Sequence, residues 1–165
     1  MRKMRGGVEI RANYKIFASV SAGIAVLDQL TKLAVMRSLH PYEAVEVVPG
    51  FFNIVYYLNK GAAFGILNQG GSLRKLFLIG VSLAALVLLA VLVRQSKDRL
   101  SLLAFSLVAG GAIGNLVDRI RFGSVVDFLD FHVASWHWPA FNVADSAITV
   151  GVGLVIFSYF FSRHE

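Results

Sequence analysis

The sequence has 165 residues, of which 56% are hydrophobic and 16% charged, with a net charge of +6. That length holds one domain, and so much apolar sequence exceeds what a soluble core needs, which points to lipid as the surrounding medium. The absence of cysteine excludes a disulfide scaffold, a thiol nucleophile and thiolate metal ligands together.

The chain opens with Arg2, Lys3, Arg5, Arg11 and Lys15. This basic start resembles the front of a signal peptide, but the apolar run behind it is full length and no small-x-small cleavage site follows, so a retained span is expected over 16–35. A bilayer takes about 20 helical residues to cross, and 76–93, 100–117 and 143–161 are the other runs of that kind. Within the first span Asp28 and Lys32 stand four apart on one helix face near its end. An ion pair with Lys32 snorkelling to the interface and a catalytic role are both open there.

The loop 37–75 carries Phe51, Phe52, Tyr56, Tyr57 and Phe64, with a turn signal at Pro49-Gly50 before the β-prone run 51–58. Apolar on both faces, that run is expected to be extended and to lie at the headgroup layer. The second span contains no charge. The third carries Gly110, Gly111 and Gly114, which let another helix approach closely. Asn115 and Arg119 follow on adjacent turns of that helix. The guanidinium suits a lipid phosphate, a peptide carbonyl or a pair with Asp118.

In the loop 119–141, Asp127 and Asp130 sit among Val, Phe and Leu and must be paired, protonated or functional. The same loop holds Trp136 and Trp138, as expected of an interface, and His132 and His137, which lack a metal-site motif. Asn142 then precedes Asp145 by three at the start of span four, an ordinary helix-start signature, so Asp145 taken alone reads as a cap and dipole partner before it reads as a catalyst.

An even number of spans puts both termini on one side. That side collects nine basic residues (Arg2, Lys3, Arg5, Arg11, Lys15, Arg94, Lys97, Arg99, Arg163) against six on the other (Arg37, Lys60, Arg74, Lys75, Arg119, Arg121), which favours cytoplasmic termini. Basic residues gathered at the ends of apolar runs suit anionic lipid and not nucleic acid. The carboxylates then cluster at the outer rim, where two brought together cannot both ionise and share a proton. That permits attack by water on a peptide bond without metal, and no G-x-S-x-G, S-x-x-K or H-E-x-x-H pattern offers another scheme.

Four separated motifs resemble the lipoprotein signal peptidases (signal peptidase II). They are Asp28-Gln29-Leu30-Thr31-Lys32, then Asn59-Lys60-Gly61-Ala62-Ala63-Phe64-Gly65, then the run from Gly110 through Asn115, Asp118 and Arg119 to Gly123 and Asp127-Phe128, and finally Phe141-Asn142-Val143-Ala144-Asp145-Ser146-Ala147-Ile148. The resemblance covers essentially the whole chain. It implies an α-helical integral membrane protein of four transmembrane helices, with a small β-strand element in the first extracytoplasmic loop, forming a single membrane domain over 1–165. It implies a catalytic dyad of Asp127 and Asp145, and supporting polar roles for Asp28, Lys32, Asn59, Asn115, Arg119 and Asn142. The implied reaction is removal of the signal peptide from diacylglyceryl-modified prolipoproteins just before the lipidated cysteine, at the outer face of the bacterial inner membrane. It needs neither metal nor cofactor and is carried out by a monomer among membrane lipids. A small proton-coupled carrier using the same carboxylates is the competing reading, although carriers usually show internal repeats and broken helices. A lipid-binding assembly factor is a second.

Overall fold

The computed structural model describes residues 2–61, 71–96 and 98–161. Ala62 to Gly65 of the second motif, with Phe64 among the loop aromatics, and Lys97 and Arg163 of the charge balance lie outside the described residues. Four helices are long and apolar enough to cross a membrane: α1 (Arg2–Ser38), α2 (Gly71–Gln95), α3 (Arg99–Phe122) and α4 (Val143–Phe161). At 1.5 Å per residue, the 24 residues of α3 reach past the roughly 30 Å of a hydrocarbon core.

The helix α3 is the centre of the bundle and packs against the other three. Half of its spanning window is buried within the protein, against 11% for α2, whose side chains are turned almost wholly outward. Its small residues make this possible. A Cβ on Gly110 would lie 2.7 Å from Cβ of Ile24 on α1, and one on Gly111 would meet the Ala144 carbonyl of α4, so both neighbours rest directly on the α3 backbone. Hydrogen bonds reinforce the contacts where no water competes: Ser21 Oγ donates to the Ser106 carbonyl at 3.0 Å, and the Ser101 and Ser158 hydroxyls meet at 3.0 Å.

Three of the four helices outlast the apolar run that announced them, while α4 keeps the bounds expected for it. A hydropathy window closes at the first charges, whereas backbone hydrogen bonding continues through them until something stops it. In α3 the stop is Gly123, in the left-handed region at φ 71°, whose N–H donates to the Arg119 carbonyl at 3.0 Å. Asn115, Asp118 and Arg119 therefore all stand on α3.

The β structure exceeds the expected single element. β1 (Ala44–Val48) and β2 (Phe52–Asn59) form a hairpin around Gly50, which has φ 72°. β2 also pairs antiparallel with β3 (Val125–Val133), and β4 (Trp136–His137) completes the order β1-β2-β3-β4. Both loops between helices thus build one sheet at one end of the bundle. The register sets Asp127 opposite Tyr57 and Val125 opposite Asn59. Phe52, Phe131 and Phe141 stack along this sheet, with centroids 4.7 and 5.8 Å apart in succession.

Candidate active site

A buried cation organises the polar interior. Lys32 is fully buried on α1 and contacts Asp28 Oδ2 at 2.8 Å and Asp118 Oδ2 at 2.9 Å, while donating to Asn115 Oδ1 at 3.0 Å. The expected ion pair with Asp28 is present, but Lys32 does not snorkel. Two carboxylates and an amide oxygen inside the bundle replace the water its ammonium would otherwise seek. Asp118 is likewise committed inward, accepting from Gln29 Nε2 at 2.9 Å and from the Val126 N–H at 3.0 Å. It is Lys32, not Arg119, that pairs with Asp118.

These contacts place the strand and the helix that carry the two candidate acids. Asp118 holds Val126, the residue before Asp127, against α3. Asp28 Oδ1 accepts the Ala144 N–H at 2.9 Å, satisfying one of the open donors at the start of α4 immediately before Asp145. The chain between them is fixed to β3 as well, since the Phe141 carbonyl accepts from the N–H groups of Phe128 and Leu129 at 3.0 and 2.8 Å.

Asn142 links Asp127 and Asp145. Its side-chain amide donates to Asp127 Oδ1 at 2.7 Å, and its backbone N–H donates to Asp145 Oδ2 at 3.3 Å. The Asn142 Oδ1 in turn accepts the Asp145 N–H at 2.9 Å, so the pair closes a reciprocal capping box at the head of α4. Cap and site are therefore built from the same groups. Asn115 Nδ2 donates to Asp145 Oδ1 at 2.8 Å, and Asn59 Nδ2 donates to Asp127 Oδ2 at 2.9 Å. The Asn59 amide is itself oriented, because its oxygen accepts the Gly61 N–H at 2.8 Å.

Burial pushes the Asp127 carboxyl up to about 6, and the charge of Asp145 adds to this against the lowering effect of the Asn59 and Asn142 hydrogen bonds and of Lys32. A cavity of about 50 Å³ lies between the two acids, lined also by Asn59, Asn115 and Arg119. That is enough for water, which needs roughly 10–15 Å³ of accessible volume. Arg119 approaches Ser82 Oγ of α2 at 3.5 Å, which leaves its donors available to the cavity.

Of the residues carried over from the motifs, Asp28, Lys32, Asn59, Asn115, Asp127, Asn142 and Asp145 join one network, and Arg119 lines the cavity beside it. Gln29 and Asp118 were missed as structural members. Asp118 stands four residues after Gly114 on the α3 face that carries the close helix contacts, and that spacing was the signal for it. Asp130 belongs elsewhere: burial alone would raise its carboxyl, but hydrogen bonds with His137 (2.9 Å) and Asn53 (2.9 Å) hold it below the usual range. Among the described residues no cluster of three His, Cys, Asp or Glu side chains has the geometry to hold a metal.

A family model described as signal peptidase (SPase) II matches residues 20–161. A lipoprotein signal peptidase of Geobacter metallireducens is 49% identical over 148 residues, covering 88% of this chain and 91% of that protein. One of Syntrophotalea carbinolica is 52% identical over 147 residues, with 88% and 91% covered. Among solved structures, a bacterial membrane enzyme determined by the in meso method at 1.9 Å resolution superposes with a TM-score of 0.79 at 32% identity, covering 88% of this chain and 92% of that one.

Proposed function

The chain belongs to the signal peptidase II family and cleaves signal peptides from prolipoproteins, and we propose that it does so as an aspartic endopeptidase with Asp127 and Asp145 as its dyad. The observation that carries the proposal is Asn142, which donates to both carboxylates, and these line a cavity large enough for water. Asp127, whose proton is held to about pH 6, is the acid. Asp145, in the first turn of α4 where the helix dipole favours negative charge, is the base.

In the reaction a water between the pair loses a proton to Asp145 and its oxygen attacks the scissile carbonyl carbon. Asp127 hydrogen-bonds to the carbonyl oxygen and gives it a proton as charge develops there. The tetrahedral intermediate then collapses: the C–N bond breaks as the leaving amine takes the proton held on Asp145, and the re-forming carbonyl returns its proton to Asp127. Arg119 and Asn59, on the cavity wall, hold the peptide carbonyls on either side of the cut. The substrate is a diacylglyceryl-modified prolipoprotein cut just before the lipidated cysteine. The enzyme is an inner-membrane protein with cytoplasmic termini, and its sheet lies at the outer leaflet, where Phe51, Trp136 and Trp138, each at least half exposed, meet the headgroup layer. The relatives do not favour a proton-coupled carrier.

The test is to incubate the purified protein with a diacylglyceryl lipopeptide and with the same peptide lacking the lipid. Cleavage of the lipidated form before the modified cysteine, abolished in Asp127→Asn, is expected. No cleavage of either peptide by folded protein overturns the reading.

A further inference from the structure

A second cavity is remote from the candidate acids. It lies at the opposite end of the bundle, about 780 Å³ in volume, between the first half of α1 and the turn joining α2 to α3. Asn13 closes one side, its amide donating to the Ser96 carbonyl at 3.2 Å, and Ile16 and Leu102 supply apolar wall. Arg94 and Arg99 also line it, and among the described residues neither is in an ion pair. Among the described residues Asp98 is the one acid on the wall, and one of its oxygens is engaged in capping α3 through the Ser101 N–H at 2.7 Å.

Arg94, in the last turn of α2, sits where a helix dipole welcomes a cation, whereas Arg99 opens α3, where the dipole opposes one. Asp98, the cap before it, offsets that opposition, and the wall still carries two cations against one acid among the described residues. The cavity far exceeds the volume of a phosphate ion and opens beside Ile16, which is 44% exposed on the bundle's outer surface. A ligand with a phosphate for the arginines and chains for the lipid-facing wall fits both features. The family match begins at residue 20, so the α1 wall of this cavity lies outside it.

We propose that this cavity is a binding site for the phosphodiester headgroup of an anionic phospholipid, held by Arg94 and Arg99, at the end of the bundle remote from the dyad. Basic pockets between spanning helices bind such headgroups, and both guanidiniums are exposed to reach one.

The experiment measures phosphatidylglycerol retained per protein, by native mass spectrometry from detergent at one salt concentration of about 0.15 M, because all the charges compared are exposed and screened alike. Phosphatidylcholine and inorganic phosphate are the comparison ligands. One tightly held phosphatidylglycerol is expected, with binding weakened about thirtyfold in the double variant Arg94→Gln/Arg99→Gln. Arg11→Gln/Lys15→Gln, on exposed positions of the same end outside the cavity, should retain wild-type affinity within about threefold. Asp98→Asn keeps a capping oxygen and removes the opposing charge, so it should tighten binding about fivefold, independently of any loss-of-function variant. Equal retention of phosphatidylcholine, equal weakening in the two double variants, or no tightening in Asp98→Asn each overturns the proposal. Displacement of the lipid by millimolar inorganic phosphate overturns it in favour of a free-anion site.

Discussion

Lys32 Nζ donates to Asn115 Oδ1 at 3.0 Å, and this bond decides which end of the Asn115 amide faces Asp145. An ammonium can only donate, so the amide oxygen must turn to it, and the NH₂ group is left to donate to Asp145 Oδ1 at 2.8 Å. A residue with no contact to the dyad thereby fixes a donor on it. Lys32→Met leaves Asp28 and Asp118 buried without their cation, and a loss of about 3–5 kcal/mol is expected. Thermal unfolding in a fixed detergent measures it. A variant as stable as the parent would show that the two carboxylates are already neutral inside the bundle.

The pH dependence follows from Asp127. Its folded value of about 6 lies above the ordinary 3.8, so the folded protein holds this proton more tightly than the unfolded chain. The stabilisation is complete below about pH 4 and is lost as pH rises to about 6. Asp127→Asn should flatten stability across that window. For the acid role, kcat/KM should fall about tenfold per unit above pH 6, because that ratio reports the free enzyme. A profile level from pH 6 to pH 8 removes Asp127 from the role of acid.

The four spans were legible because each is local, a run of about 20 apolar residues, and Asp127 stood out as an acid stranded among Val, Phe and Leu; its proposed pairing with Asp145, which on its own reads as a cap, came from the family motifs. Asn59, Asn115 and Asn142 were placed near the site only through the family motifs, since an asparagine carries no pattern of its own. The pairing of β3 with β2 was not legible. Residues 125–128 are buried on both faces, so the alternation that marks a half-exposed strand is absent, and the partner lies about 70 residues earlier. The burial of Lys32 escaped for a related reason, since two of its three partners, Asn115 and Asp118, come from another helix.

Close packing of α3 on α4 sets the position of Asp145. A Cβ at Gly111 would meet the Ala144 carbonyl and lie 2.8 Å from Ile148 Cγ1, and backbone cannot yield as a side-chain tip does. Gly111→Ala should cost about 1–3 kcal/mol by overpacking and lower the cleavage rate by moving the head of α4. Gly80→Ala, with nothing within 4 Å of its new Cβ, is the matched control and should be neutral or slightly stabilising. Equal stability and activity for the two variants would mean that α4 shifts freely on α3.

The most discriminating substitution is Asp145→Asn, because Asp145 both caps α4 and faces the cavity. As a cap its carboxylate accepts the Asn142 N–H at 3.3 Å, a bond that an amide oxygen can also accept. What the cap loses is charge–dipole stabilisation of about 0.3–1 kcal/mol. The one oxygen of the new side chain cannot also serve the Asn115 amide, which Lys32 holds in place, so the hydrogen bond to Asp145 Oδ1 is lost as well, at about 1 kcal/mol. An amide cannot, however, take a proton from water and return it to the leaving amine. Asp145→Asn, like Asp127→Asn, should therefore fold and bind lipopeptide nearly as the parent does while cleaving it at least about a hundredfold more slowly, the usual scale of an acid–base contribution. Cleavage rate, lipopeptide binding and thermal stability are measured side by side for each variant. Retained cleavage in well-folded Asp145→Asn would falsify the dyad and leave Asp145 as the cap alone.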